Sequence, residues 1–200
     1  MRSQRVKRVL DVVFCLLAVP LLVPVVALLV VAVKLDSRGP AFFAGNRIGR
    51  DGHPFRIVKL RSMATGRSGP AITRAGDRRI TRVGRLLRAT KLDELPQVLN
   101  VLRGEMSIVG PRPEDPRYVA VYTPAQREVL RVRPGMTSSA LMRFGNEQAY
   151  IERAAPADLD RFYVEELMPQ KLSIELAYLR DWTLRKDLAI IARTATRMLS

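Results

Sequence analysis

From Val9 to Val33 the chain runs for 25 residues with a single charge, Asp11, and 18 of those residues are Leu, Val or Phe. Nothing else in the sequence restricts the fold as severely. At 1.5 Å per residue a helix of that length reaches roughly 37 Å, more than the ~30 Å hydrocarbon core of a bilayer. Inserting those side chains gains about −5 to −11 kcal/mol, an upper bound because the scale refers to the middle of the bilayer. The segment is therefore expected in a membrane. A cleaved secretory leader is disfavoured, because the apolar run exceeds the usual roughly 7–15 residues and no Ala-x-Ala site precedes Lys34.

Entering a membrane and crossing it are different matters. Arg2, Arg5, Lys7 and Arg8 precede the apolar run, and Lys34 and Arg38 follow it, with Arg47 and Arg50 close behind. Basic flanks prefer the cytoplasmic side, and one straight crossing cannot keep both there. Pro20 and Pro24 lie in the middle, each removing a backbone donor and favouring a kink. A bent helix that enters and returns to the same face satisfies both observations. A straight span that tolerates its prolines stays open, since proline is common in membrane helices.

The rest of the chain is basic. Lys and Arg number 34 against 19 acidic residues, a net charge of +15, and residues 47–133 alone hold 19 basic and 8 acidic side chains. An anionic partner is expected, and it should bind in the middle of the chain. One cysteine, Cys15, excludes internal disulfides and Cys-rich zinc sites. One histidine, His53, leaves proton handling to carboxylates.

Ala41–Ala44 and Phe55–Leu60 read as short strands joined by a turn through Arg-Asp-Gly-His-Pro, a β-hairpin. Thr65–Gly76, rich in Gly, Ser and Thr, reads as a mobile loop. Ile80, Val83, Leu86 and Leu87 then recur at helical spacing, with Arg78, Arg82, Arg85 and Arg88 on the other side. Such a helix suits an anionic lipid interface, and equally a solvated arginine face. Arg133–Thr137 reads as a turn, and Tyr163 onward to Leu199 as helix of mixed charge. There is no Gly-x₄-Gly-Lys-Ser/Thr loop, and Gly45, Gly49 and Gly52 miss the dinucleotide-binding spacing.

Two short motifs carry chemistry. In Leu92-Asp93-Glu94-Leu95-Pro96-Gln97 the proline fits only a first helical turn, so the helix should begin near Asp93. That places two carboxylates at the positive end of a helix dipole, as capping and first-turn residues or as functional ones. In Gly110-Pro111-Arg112-Pro113 the arginine is restrained on both sides. A pre-positioned guanidinium suits a phosphate, and a rigid turn with its arginine in solvent is the plainer reading.

Taken together, Lys59-Leu-Arg-Ser-Met63, Gly84-Arg-Leu-Leu-Arg88, Leu92-Asp-Glu-Leu-Pro-Gln-Val-Leu-Asn100 and Gly104-Glu-Met-Ser-Ile-Val-Gly-Pro-Arg-Pro113 behind a proline-broken apolar helix resemble the bacterial sugar transferases. These are monotopic phosphoglycosyl transferases that start glycan assembly on a polyprenol carrier, and the resemblance spans nearly the whole chain. It implies a mainly α fold with a small β-hairpin element. A re-entrant membrane helix within residues 1–38 would anchor a compact catalytic domain, residues 39–200, with amphipathic interfacial helices, on the cytoplasmic face of the bacterial inner membrane. It implies transfer of a sugar 1-phosphate from a UDP-sugar to polyprenol phosphate, with release of UMP. Asp93 would be nucleophile and Mg²⁺ ligand, Glu94 its acidic partner, Arg112 a phosphate holder, and Lys59 and Arg88 further substrate-binding cations. Pro20 and Pro24 would make the membrane kink. Membrane lipids are implied partners, nucleic acid is not, and a homodimer stays open.

The sequence departs from the family pattern twice. Val23-Pro24 stands where Ser-Pro is frequent, and Thr137 is followed by Ser138 and Ser139 where many members have Gly. A membrane-anchored basic binding module would explain the charge and the anchor, but not Asp93-Glu94 inside the basic region. Nor do the few aromatic residues, 6% of the chain, make a base-stacking platform. A Mg²⁺-dependent lipid-phosphate hydrolase would use the same carboxylates.

Overall fold

The computed structural model describes residues 2–66, 76–144 and 147–199; the expected loop Thr65–Gly76 lies largely outside them. The fold is mostly helical. Helix α1 covers Arg2–Asp36, with Pro20 and Pro24 inside it. Strands β1 (Phe42–Ile48) and β2 (Pro54–Leu60) form an antiparallel hairpin that pairs Phe42 with Leu60 and Ile48 with Pro54. The hairpin is longer than expected, because Asp51 and Gly52 take left-handed φ of 57° and 79° and close the turn tightly. Helix α2 (Arg82–Ala89) starts at Thr81, whose side chain accepts from Gly84 N. A 3₁₀ helix (Leu92–Gln97) runs directly into α3 (Val98–Arg103), which Gly104 ends at φ 85°.

Strand β3 (Ser107–Val109) leads to α4 (Pro116–Ala120), and β4 (Gly135–Thr137) lies parallel to β3. The sequence suggests only a turn at 133–137. A Cβ on Gly135 would come within 2.2 Å of Gly110 N, so the pairing depends on two backbones closer than any side chain allows. The chain closes with α5 (Ser139–Phe144), α6 (Glu147–Ala154), α7 (Leu159–Phe162), a π-helical turn (Tyr163–Leu167), α8 (Met168–Arg180) and α9 (Leu184–Leu199). Tyr118, Tyr163, Leu167 and Leu172 centre the largest core.

Helix α1 meets this body at both ends. Near its start Lys7, Asp11 and Cys15 are buried, spaced four residues apart on one face. Cys15 packs with Phe55, Ile57, Val101 and Met106. Asp11 accepts from Ser107 Oγ (2.7 Å), Lys7 pairs with Asp187, and the Arg8 guanidinium donates to Val101 O and Leu102 O at the end of α3. The one charge in the apolar run is thus a satisfied buried carboxylate. Near its end Val33 packs with Ala41, Leu60 and Leu87, joined by Val26, Leu29 and Val30. Between these contacts Leu16, Leu17, Leu21 and Val23 are exposed.

Candidate active site

The 3₁₀ helix holds the carboxylate pair, and three other elements converge on it. Glu94 N donates to Lys91 O, closing the first turn. Pro96 sits inside this turn, so the helical run does begin at Asp93's doorstep, but in 3₁₀ form, with regular α-helix only from Val98. Lys59, near the end of β2, donates from Nζ to Glu94 Oε1 at 2.7 Å. Arg112, from the Pro-Arg-Pro turn after β3, reaches the same oxygen at 3.3 Å. Arg88 and Lys91 arrive from the end of α2; both lie within electrostatic reach of Asp93 and Glu94. The five expected site residues, Lys59, Arg88, Asp93, Glu94 and Arg112, are therefore brought together, while Pro20 and Pro24 belong to α1.

The two acids live in different environments. Burial works against the charged form of Glu94, but Lys59 and then Arg112 outweigh it and hold the carboxyl well below the usual range. Asp93 is 7% exposed, and its Oδ1 has no hydrogen-bond partner. Burial raises its pKa, with Lys59 opposing. Burial thus works against the stabilisation of the charged form that the start of a helical run offers. A buried acceptor left unpaired is costly, and its natural partner is a ligand or a cation.

Arg88 also differs from the sequence reading. Ile80 bridges to Met63 ahead of the helix, and α2 splits its apolar residues. Leu87 enters the core, while Leu86 stays exposed beside Arg82 and Arg85. Arg88 leaves that solvated face, is half-buried, and faces Asp93. What permits this is Gly84, where a Cβ would sit 2.0 Å from Ser62 O. At that spacing α2 lies directly on the chain leaving β2.

Sequence reasoning missed three contributors. Asn100 is fully buried, accepts from Val58 N (3.0 Å), and donates to Arg56 O (2.8 Å) and Glu105 Oε2 (2.7 Å). It clips β2, hence Lys59, to the helix that follows Asp93. Glu114, next after Pro-Arg-Pro, accepts from Tyr163 OH (2.6 Å) and Lys171 Nζ (3.0 Å), which fixes the far end of the arginine turn. Lys91 adjoins the acidic pair with a left-handed backbone, φ 58° and ψ 14°. A polar residue inside Val98-Leu-Asn-Val-Leu102 was the available signal for Asn100; the other two had none.

Among the described residues no three His, Cys, Asp or Glu side chains gather as a metal cage. Mg²⁺ commonly uses one or two carboxylates and completes its shell with phosphate oxygens and water. The unpartnered Oδ1 of Asp93 fits that mode.

Comparison with known proteins identifies the family. The family model described as bacterial sugar transferase matches residues 2–200. The UDP-glucose:undecaprenyl-phosphate glucose-1-phosphate transferase of Caulobacter vibrioides is 42% identical over 97% of this chain and 70% of its own length. An Escherichia coli protein of the same description is 35% identical over 96% of this chain. The UDP-N-acetylgalactosamine-undecaprenyl-phosphate N-acetylgalactosaminephosphotransferase of Aeromonas hydrophila is 34% identical over 98%. The chain spans 40% and 44% of those two relatives' lengths, respectively. With a match over essentially its full length, the chain belongs to the bacterial sugar transferase family.

Proposed function

We propose that this protein transfers a sugar 1-phosphate from a UDP-sugar to a polyprenol phosphate of the undecaprenyl type, in two displacements through Asp93. The observation that carries this reading is the buried Asp93 carboxylate with an unpartnered oxygen, beside a Glu94 whose charge Lys59 and Arg112 already neutralise. An Asp93 oxygen attacks the β-phosphorus of the donor, the bond to the bridging oxygen breaks, and UMP leaves. An oxygen of polyprenol phosphate then attacks the same phosphorus, and the Asp93 carboxylate is regenerated. Splitting the transfer means that nucleotide and lipid need not be aligned together.

A carboxylate attacking a diphosphate brings two anions together, and the surrounding cations offset that repulsion. Lys59 and Arg112 are held in place by Glu94, so their charge is oriented before substrate arrives. Arg88 adds a half-buried cation beside Asp93. When bound at Asp93, Mg²⁺ would supply further neutralisation of the diphosphate.

The reaction is placed at the cytoplasmic face of the inner membrane, with α1 entering the bilayer and returning. Both ends of α1 pack on one body, both flanks are basic, and the exposed residues between them are apolar. These features support insertion of α1 as a bent helix, with α2 seated at the interface through Leu86, Arg82 and Arg85.

The test is a single-turnover experiment with Mg²⁺ and a panel of UDP-sugars without lipid. About one UMP per active site should appear, and intact mass should rise by one sugar phosphate on the peptide holding Asp93. Asp93→Asn should abolish both. UMP that appears only after polyprenol phosphate is added, without an adduct, would show direct transfer and refute the aspartyl step.

A further inference from the structure

The described cations around Asp93 and Glu94 are not equally engaged. Lys59 and Arg112 both bond to Glu94. Lys91 is half-buried among Arg112, Glu94, Asp93 and Lys59, yet its ammonium has no hydrogen-bond or ion-pair partner among the described residues. Four cations, Lys59, Arg88, Lys91 and Arg112, thus face two carboxylates, leaving an excess of positive charge at the centre of the site. A half-buried lysine among like charges is unfavourable unless an anion joins it. The backbone adds a second observation. Lys91 holds φ 58°, a conformation that Gly or Asn would adopt with less strain. Its C=O closes the turn onto Glu94 N, so the strained residue is locked to the acidic pair.

We infer that Lys91 contacts a substrate phosphate, the donor diphosphate or the phosphate of the lipid acceptor, as a further binding residue of the reaction. The inference rests on the phosphoglycosyl-transfer reading above. What a phosphate oxygen needs at this place is a positive charge on a flexible stem, which lysine supplies and arginine also carries.

The experiment compares wild type, Lys91→Asn and Lys91→Arg, each in nanodiscs. Asn accepts the left-handed backbone, so Lys91→Asn removes the charge without adding strain, and its Tm should equal or exceed that of wild type. Binding of UDP in the presence of Mg²⁺ is measured by calorimetry, and the KM for polyprenol phosphate in steady state. A rise of about tenfold in the Kd for UDP, restored to within about twofold by Lys91→Arg, assigns Lys91 to the donor diphosphate. A rise confined to the KM for polyprenol phosphate assigns it to the acceptor. Wild-type values for both constants in Lys91→Asn overturn the inference, as does equal weakening in Lys91→Arg. If wild type binds UDP but forms no UMP from any UDP-sugar, the transferase reading falls while the UDP arm still decides the role of Lys91. If wild type neither binds UDP nor forms UMP, both fall.

Discussion

Glu175 on α8 is 2% exposed, and its charge is more than its surroundings support. Its Oε1 accepts from Ala140 N at 3.1 Å, holding the start of α5, while Oε2 has no hydrogen-bond partner. Burial pushes the carboxyl from 4.5 up to about 7, against opposing contributions from Ser138, Ala140 and Lys171. The native state therefore keeps a proton that the unfolded chain releases. Stability linked to this group is complete below pH 4.5, falls as pH rises, and is lost once pH passes about 7. Over that interval the loss is about 3 kcal/mol, from roughly 1.4 kcal/mol per pH unit. Glu175→Gln imitates the protonated form and keeps the acceptor for Ala140 N. The two proteins should melt together near pH 4.5, and at pH 8 the variant should be more stable by about 3 kcal/mol, roughly 6–12 °C in Tm for a domain of this size. Thermal melts in nanodiscs across pH 4.5–8 measure the difference. Parallel pH profiles for the two proteins would refute the reasoning, because an ordinary titration of Glu175 leaves nothing for the amide to remove.

Arg112→Lys keeps the charge but loses the planar fork, and should slow UMP release at least tenfold, about 1.4 kcal/mol or more in transition-state stabilisation; unchanged turnover would reduce Arg112 to a turn residue. Asn100→Leu leaves Val58 N and Arg56 O unpaired in the interior, costing about 2–6 kcal/mol. A melt should show a Tm lower by on the order of 10 °C, together with slower UMP formation as β2 and Lys59 drift from Glu94; full activity at reduced stability would detach Asn100 from the site. For topology, Gln4→Cys and Leu35→Cys in a Cys15→Ala background should both react with impermeant maleimide only from the cytoplasmic side, Leu35 being 84% exposed in the protein alone. Periplasmic labelling of either position would establish a crossing.

How much was legible depended on where the determining contact lay. The hairpin was readable because strand alternation and its turn residues are local, and Asp93, Glu94, Lys59, Arg88 and Arg112 were readable because motif and charge marked them. The β3–β4 pair was not, since three residues beside Pro134 look like a turn until Gly110 and Gly135 are seen to need each other's missing side chains. The upward shift at Asp93 comes from desolvation, a tertiary property, and helix polarity, a local one, does not reveal it. Lys91 and Asn100 were passed over because a lysine beside an acidic pair and an asparagine in a helix look ordinary. Their meaning lies in what folds against them.

Helix α1 and the site are mechanically one object. At its start α1 sends Arg8 to the carbonyls that end α3, the helix continuous with the Asp93-Glu94 turn. Toward its end the Asp36 carboxylate accepts from Val83 N at the start of α2, the helix that delivers Arg88. Arg61, one residue past β2, donates to Val33 O, Ser37 O and Arg38 O and caps α1 from the strand that carries Lys59. With Asp11 holding Ser107 on β3, the strand that leads to Arg112, each element that builds the site is thus tied to α1, directly or through its neighbour in the chain, by hydrogen bonds to charged groups, the stronger kind. On the function proposed above, the depth at which α1 rests in a bilayer then sets the height of Asp93 above the headgroups, where a lipid-borne phosphate would meet a water-soluble nucleotide. A flexible tether would leave that height to chance, and a rigidly joined helix fixes it once, at folding.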